Sequence, residues 1–261
     1  LPAVWRWLGR VPFAATAREQ ERLRADILRG DAPETLLLCE HDPVVTLGRS
    51  ADPAHVLFPR AELARRGVDL HVASRGGDVT YHGPGQLVGY PIVRLRRGVL
   101  GHVTGMARAI AAVLGELGVD ARWRRDTPGL WVGDAGSASG SNSESGSGGR
   151  NSERGSKICA FGVHVHRRVA IHGFALNVGR ALAGFDLIVP CGLPAARTTS
   201  IADVLGPGRS APPLHVLAAR VAGALGRELG VAFVPAIESP AIAGISNVEM
   251  SGRIIRMIQA S

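Results

Sequence analysis

Strand-like runs in this chain come in neighbouring pairs, and the pairs alternate with helical runs. No other feature narrows the choice of fold as much. KICAFGVHVHRR reads as one strand and VAIHGFALNV as its hairpin partner. TLLLCEH and VVTLG, on either side of Asp42-Pro43, are a second pair. A run of hairpins argues against a purely parallel, doubly wound sheet. Residues 13–29 and 213–229 read as amphipathic helices, 60–66 as a short helix, and 101–117 as helical in pattern. The expected class is therefore α/β (α+β), with mixed β-sheets flanked by helices. VDLHVAS, LVGYPIVRL, GLWVGD and FDLIVP are further strands, and Pro91 signals a bulge or a sheet edge. Thr199 and Ser200 are helix-cap candidates for the run that follows.

Apolar residues make up 46% of the 261, enough to bury a substantial core. One domain is expected over 1–236. It is interrupted at 135–156 by a Gly/Ser-rich stretch of the kind that forms flexible surface loops. A weakly structured tail is expected over 237–261. No run approaches the roughly 18 consecutive apolar residues of a membrane span. LPAVWRWLGR lacks the apolar stretch of a secretory leader. Three cysteines are too few, and odd in number, for a disulfide framework. Reduced thiols and a cytoplasmic location are expected.

The formal net charge is +8, which calls for an acidic partner. Aromatic residues are only 5%, too sparse for a base-stacking surface, so no nucleic acid is expected. Of the 30 Lys and Arg residues only Lys157 is a lysine. A solvated charge is served equally well by Arg. A group that must give up its proton is not, because a guanidinium stays protonated while a buried amine can titrate. Lys157 is thus a candidate for proton transfer.

Cys191 lies in Val-Pro-Cys-Gly-Leu-Pro, where a strand runs into a turn, a position that suits a reactive side chain better than packing. Cys39 lies inside an apolar strand and is assigned to the core. Cys159 is a rival nucleophile; period two places it on the same strand face as Lys157. A free thiol is only a few per cent thiolate at neutral pH, so acyl chemistry on it requires a base. His82, His164, His166 and His172 are candidates alongside Lys157, and spacing alone pairs none of them with Cys191. His164 and His166 share a strand face but lack a third ligand, so no metal site is expected. The densest signal is the loop RGGDVTYHGPGQ, residues 75–86. Its glycines permit close backbone approaches and amides exposed to a ligand. It is neither a Walker loop nor a dinucleotide fingerprint.

This loop resembles the signature of the lipoyl(octanoyl) transferase family. Glu40-His41-Asp42-Pro43 with Thr46-Leu47-Gly48, Lys157-Ile158-Cys159-Ala160-Phe161-Gly162, and His172 to Val178 followed by Pro190-Cys191-Gly192 resemble the family's other segments, in the same order. The resemblance covers about residues 13–230. It implies a biotin/lipoate protein ligase-like fold. It also implies transfer of an octanoyl group from octanoyl-acyl carrier protein onto Cys191, with Lys157 as its proton partner, and then to a lysine of an apo lipoyl domain. The acceptors implied are those of 2-oxoacid dehydrogenase complexes and the glycine cleavage carrier protein. By resemblance the acyl pocket is lined by Arg75, Gly76, Gly77, Asp78, Val79, Thr80, Tyr81 and His82. Ala160, Phe161, Gly162, Gly173, Phe174 and Ala175 complete it. No cofactor, no metal, no membrane and a monomer are expected. Arg124 with Arg125, or Arg167 with Arg168, are candidates for meeting the acidic carrier. The Gly/Ser stretch before Lys157 and the tail depart from the family pattern. The rival readings are an ATP-using lipoate–protein ligase, a non-catalytic acyl sensor and a basic nucleic-acid binder.

Overall fold

The computed structural model describes residues 2–125, 127–133, 155–180, 183–189 and 197–236. Most of the Gly/Ser stretch, the tail after 236, and Pro190, Cys191 and Gly192 lie outside these residues. In chain order the elements are β1 (Val4–Val11), α1 (Phe13–Arg29), β2 (Thr35–His41), β3 (Val44–Leu47), α2 (Arg60–Arg65), β4 (Asp69–Val72), β5 (Val79–His82) and β6 (Gln86–Ile92). They continue as α3 (Gly98–Glu116), β7 (Arg122–Arg124), β8 (Gly129–Val132), β9 (Ser156–His166), β10 (Val169–Asn177), β11 (Arg197–Thr198), α4 (Ile201–Leu205), α5 (Leu214–Leu229) and β12 (Val234–Pro235).

The strands make a large mixed sheet in the order β12-β1-β2-β6-β10-β9-β8-β7, with β11 added to β9, and a small sheet β4-β3-β5. β1 runs parallel to β2, while β2, β6, β10, β9, β8 and β7 are successively antiparallel. Period two sorts the side chains. Leu36 and Leu38 join the core under α3 and α5, while Leu37 and Cys39 pack on the opposite face with Leu23 and Ile27 of α1. Helix α3 is long and apolar enough to cross a membrane, but Met106, Ala109, Ile110, Val113 and Leu114 are buried against the large sheet and α5. The small sheet, with its own core of Val45, Leu63, Val79 and Tyr81, stands on the α1 side.

Several expectations change. Pro91 is not at an edge: β6 is central and all its residues are buried. The ladder to β2 runs through Pro91, but the ladder to β10 stops at Gly89↔Phe174, where proline has no N–H to offer. The backbone N–H of His172, opposite this gap, donates instead to Gln20 Oε1 at 2.8 Å. The 75–86 segment is only half loop, since Val79–His82 is a strand paired with β3. Residues 185–189 of the FDLIVP run are not a strand either. Ala183–Leu187 is a 3-10 turn, and Ile188 makes a single bridge to Val56. Phe185 and Leu187 are apolar because they pack on the small sheet. Ser200 does cap α4, accepting from Asp203 N at 3.1 Å.

Where β6 and β10 face each other without ladder bonds, the backbones come close. A Cβ on Gly173 would lie 2.2 Å from Gly89 O and 2.7 Å from Pro91 Cδ. Gly173→Ala is expected to destabilise the protein by at least ~1–3 kcal/mol, the usual cost of overpacking a core, read from denaturant unfolding. Wild-type stability would contradict this packing.

Candidate functional site

A cavity with ≈ 590 Å³ of empty space, counting its open mouth, lies between the α1 face of the large sheet and the small sheet. The 75–80 segment and His82 form one wall. The opposite wall is 160–162 of β9 and 172–175 of β10, and the floor is Phe13, Val88 and Tyr90. Ala160 faces Ala175 and Gly162 faces Gly173 across the hairpin, so small side chains leave the volume open.

Of the expected pocket residues, Tyr81 alone is missing from the lining, while Val79 and Phe174 border the cavity but pack their side chains into the small sheet's core and the core under α3 and α5. The Tyr81 ring packs at 5.6 Å on Phe185 in the small sheet's core. The polar heads of Arg75 and Asp78 are committed to structure. Arg75 donates through Nη2 to Thr46 O at 2.7 Å and to Thr46 Oγ1 at 2.8 Å, and through Nη1 to Asp78 O at 2.8 Å. Asp78 Oδ2 accepts from His55 Nδ1 at 2.6 Å, and Asp78 Oδ1 from Asp52 N at 3.1 Å. Gly76 N donates to Val163 O at 3.0 Å, stitching this wall to β9. The upstream motif serves the same wall: Glu40 Oε1 accepts from Gly85 N.

Three histidines are buried beside the cavity. His82 Nδ1 donates to Gln86 Oε1 at 2.7 Å, and Gln86 Nε2 donates to Asn177 Oδ1 at 2.9 Å. His41 Nδ1 donates to Val11 O at 2.8 Å, so its Nε2 accepts from Tyr90 Oη at 2.7 Å. His172 Nε2 lies 2.9 Å from Ser74 Oγ. Burial lowers His41 to about 4 and His82 and His172 to about 3, with neighbouring cationic groups adding to the shift for His82 and His172. All three stay neutral at physiological pH. Burial likewise pushes the Cys39 thiol, and the Cys159 thiol, far up, so neither is a thiolate at neutral pH.

Lys157 is 9% exposed. The β8–β9 register carries one extra residue. Leu130 faces Cys159, but Trp131 faces Lys157, and Ile158 is the bulge. Ile158 and Cys159 consequently both enter the core under α3 and α5. Lys157 takes the other face, the one with Ala160, and its Nζ lies 4.9 Å from the Trp131 ring centroid. The expectation that Cys159 shares the face of Lys157 is corrected by this bulge, which period two cannot anticipate. Phe13, Val88 and Tyr90 were not foreseen in the cavity. Their signal was only the apolar period of α1 and β6, which also describes ordinary core. His164 and His166 lie on the outer part of β9, where His164 Nδ1 is 3.4 Å from Arg24 Nη1, and no metal-binding cluster occurs among the described residues.

The model of the lipoyl protein ligase A/B catalytic domain matches residues 12–222. An octanoyltransferase of Chloroflexus aurantiacus is 40% identical over 240 residues, covering 90% of this chain and 97% of that one. An octanoyltransferase of Solibacter usitatus is 42% identical over 191 residues, covering 72% and 77%. Among solved structures, the bipartite lipoate protein ligase of Thermoplasma acidophilum, studied with its E2 lipoyl domain, superposes with a TM-score of 0.65 at 15% identity over 90% of this chain and 87% of that one. A lipoate-protein ligase A bound with ATP gives 0.60 at 16% identity, covering 90% and 89%. These two likenesses establish the lipoate protein ligase fold.

The histidines set an acid limit on stability. Their folded-state values lie below the ordinary 6.5, so the unfolded chain takes up protons first as pH falls. Stability is full above pH 6.5 and is lost progressively from there down to about 3. Each group contributes up to about 1.4 kcal/mol per pH unit in that window. Thermal melts across the window should show a falling Tm; a flat profile would contradict burial of neutral histidines.

Proposed function

The chain belongs to the lipoyl protein ligase A/B catalytic-domain family and is an acyltransferase that moves octanoyl groups in protein lipoylation, and we propose that it does so in two steps through Cys191 and Lys157. Octanoyl-acyl carrier protein is the donor. The acceptor is a lysine of an apo lipoyl domain, in 2-oxoacid dehydrogenase complexes or the glycine cleavage carrier protein. The reaction takes place in the cytoplasm without a cofactor. The observation that supports this most is the position of Lys157: the sole lysine of the chain is buried on the face of β9 that also lines the cavity.

In the first step the Lys157 amine takes the Cys191 Sγ proton, and the thiolate attacks the thioester carbonyl. The carrier's sulfur departs as a thiolate and is protonated by the Lys157 ammonium. In the second step the acceptor lysine attacks the Cys191 thioester. Lys157 accepts the proton released as the amide forms and returns it to the cysteine. The octanoyl chain lies in the cavity against Phe13, Val88, Ala160 and Ala175, while Arg75 and Asp78 hold the wall in place. The neutral histidines add no charge to this apolar site. Cys159, buried in the core with its thiol protonated, stands apart from the chemistry.

Octanoylation of a lipoyl domain, assayed without ATP, tests the roles. Cys191→Ser should abolish turnover and Cys159→Ala should leave it within about twofold. Lys157→Arg should lower kcat at least ~100-fold, the scale of a lost general base. Full activity in Lys157→Arg would remove the proton-transfer role, and activity only with ATP and free octanoate would make the protein a ligase. Ala160→Val narrows the cavity. It should shift preference from octanoyl towards hexanoyl carrier by roughly tenfold in kcat/KM, since each buried methylene is worth ~0.8 kcal/mol. An unchanged chain-length profile would place the acyl chain elsewhere.

A further inference from the structure

Trp131 of β8 is shared by two cations, one from each neighbouring strand. Lys157 Nζ of β9 lies 4.9 Å from its ring centroid, and Arg124 Cζ of β7 lies 4.8 Å from it. The indole is only 3% exposed, and its Nε1 donates to Thr127 O at 3.0 Å, which fixes the ring plane. A cation over an indole face is attracted by the ring's quadrupole, more strongly where water is excluded. A neutral amine feels little of this. Gly129 clears the way for the lysine: a Cβ there would lie 3.0 Å from Lys157 Cε and 3.2 Å from Trp131 Nε1. The aliphatic stem of Lys157 thus crosses β8 at Gly129 and its head meets the indole.

We propose that Trp131 is a positioning residue for octanoyl transfer: its ring face fixes where the Lys157 ammonium sits and favours the charged partner that a cysteine thiolate needs. Arg124 stays charged through the whole cycle, because its guanidinium does not titrate. It therefore keeps its hold on the indole when Lys157 passes its proton on, and the ring stays in place for the proton's return. The inference rests on the proton-carrying role of Lys157 given above.

The test compares Trp131→Phe, Trp131→Leu and Gly129→Ala with Lys157→Ala and wild type. Steady-state octanoyl transfer and thermal melts are measured on each. Because Lys157 is the only lysine, its position can also be read independently of turnover, from the rate at which acetic anhydride labels it in peptide mass spectrometry. Trp131→Leu should lower kcat by about tenfold with KM within about twofold, and should label faster at Lys157. Trp131→Phe, which keeps a π-face, should stay within about threefold of wild type on both readouts. Gly129→Ala should copy Trp131→Leu while leaving the indole intact, and it carries the test if the leucine variant does not fold. Wild-type kcat and labelling in Trp131→Leu, beside an inactive Lys157→Ala, would overturn this inference alone. So would equal losses in the Phe and Leu variants. An active Lys157→Ala would overturn the mechanism first and this inference with it.

Discussion

The bulge at Ile158 decides which way the chain's only lysine points, and the proposed chemistry depends on that direction. A regular strand would alternate Lys157, Ile158 and Cys159, placing the lysine with the cysteine. The extra residue instead sends Ile158 and Cys159 together into the core and Lys157 to the face shared with Ala160. A buried amine costs free energy unless it finds compensation. Here the Trp131 face lies beneath the charged head, and Gly129 leaves room for the stem. The cavity wall begins one residue beyond Cys159, so Lys157 and that wall are built on one strand.

The opposite wall has a different physical basis. It is a glycine-rich segment held by polar groups that bond to the protein around them. Arg75 binds the carbonyls of Thr46 and Asp78, Asp78 receives His55, and Gly76 reaches across to Val163. These bonds join the small sheet to β9 and fix the width of the gap between the two sheets. The histidines beneath stay neutral because they are buried, although the bonds to Gln86 and Val11 favour the charged forms of His82 and His41. The result is a cleft of low polarity beside a single titratable amine, the environment in which a thiolate–ammonium pair gains most from close approach.

Much of this was legible in the sequence. Helix α1 ends at Arg29 with Gly30 capping it in the left-handed region, β2 and the β9–β10 hairpin fall where their apolar runs lie, and residues 75–80 and 82 border a cavity. The failures share a cause: local pattern reports apolarity, not the partner that satisfies it. FDLIVP is apolar enough for a strand, yet Phe185 and Leu187 serve the small sheet's core from a 3-10 turn. Pro91 carries a true signal of a broken ladder, but the break lies on one side of a central strand and is repaired by Gln20 from a distant helix. Val4–Val11 is a strand between β2 and β12, although two arginines and Gly9 interrupt its apolar residues. The bulge at Ile158 is set by tertiary pairing with β8. Nothing in Lys-Ile-Cys announces it.

The most direct test of the central claim is to mix the protein with octanoyl-acyl carrier protein in the absence of ATP and weigh it intact, then map the adduct and add an apo lipoyl domain. The account predicts an octanoyl group on the Cys191 peptide that disappears as the lipoyl domain gains the same mass. An unmodified enzyme, or an adduct on Cys191 that the lipoyl domain does not discharge, would contradict a covalent transfer through this cysteine.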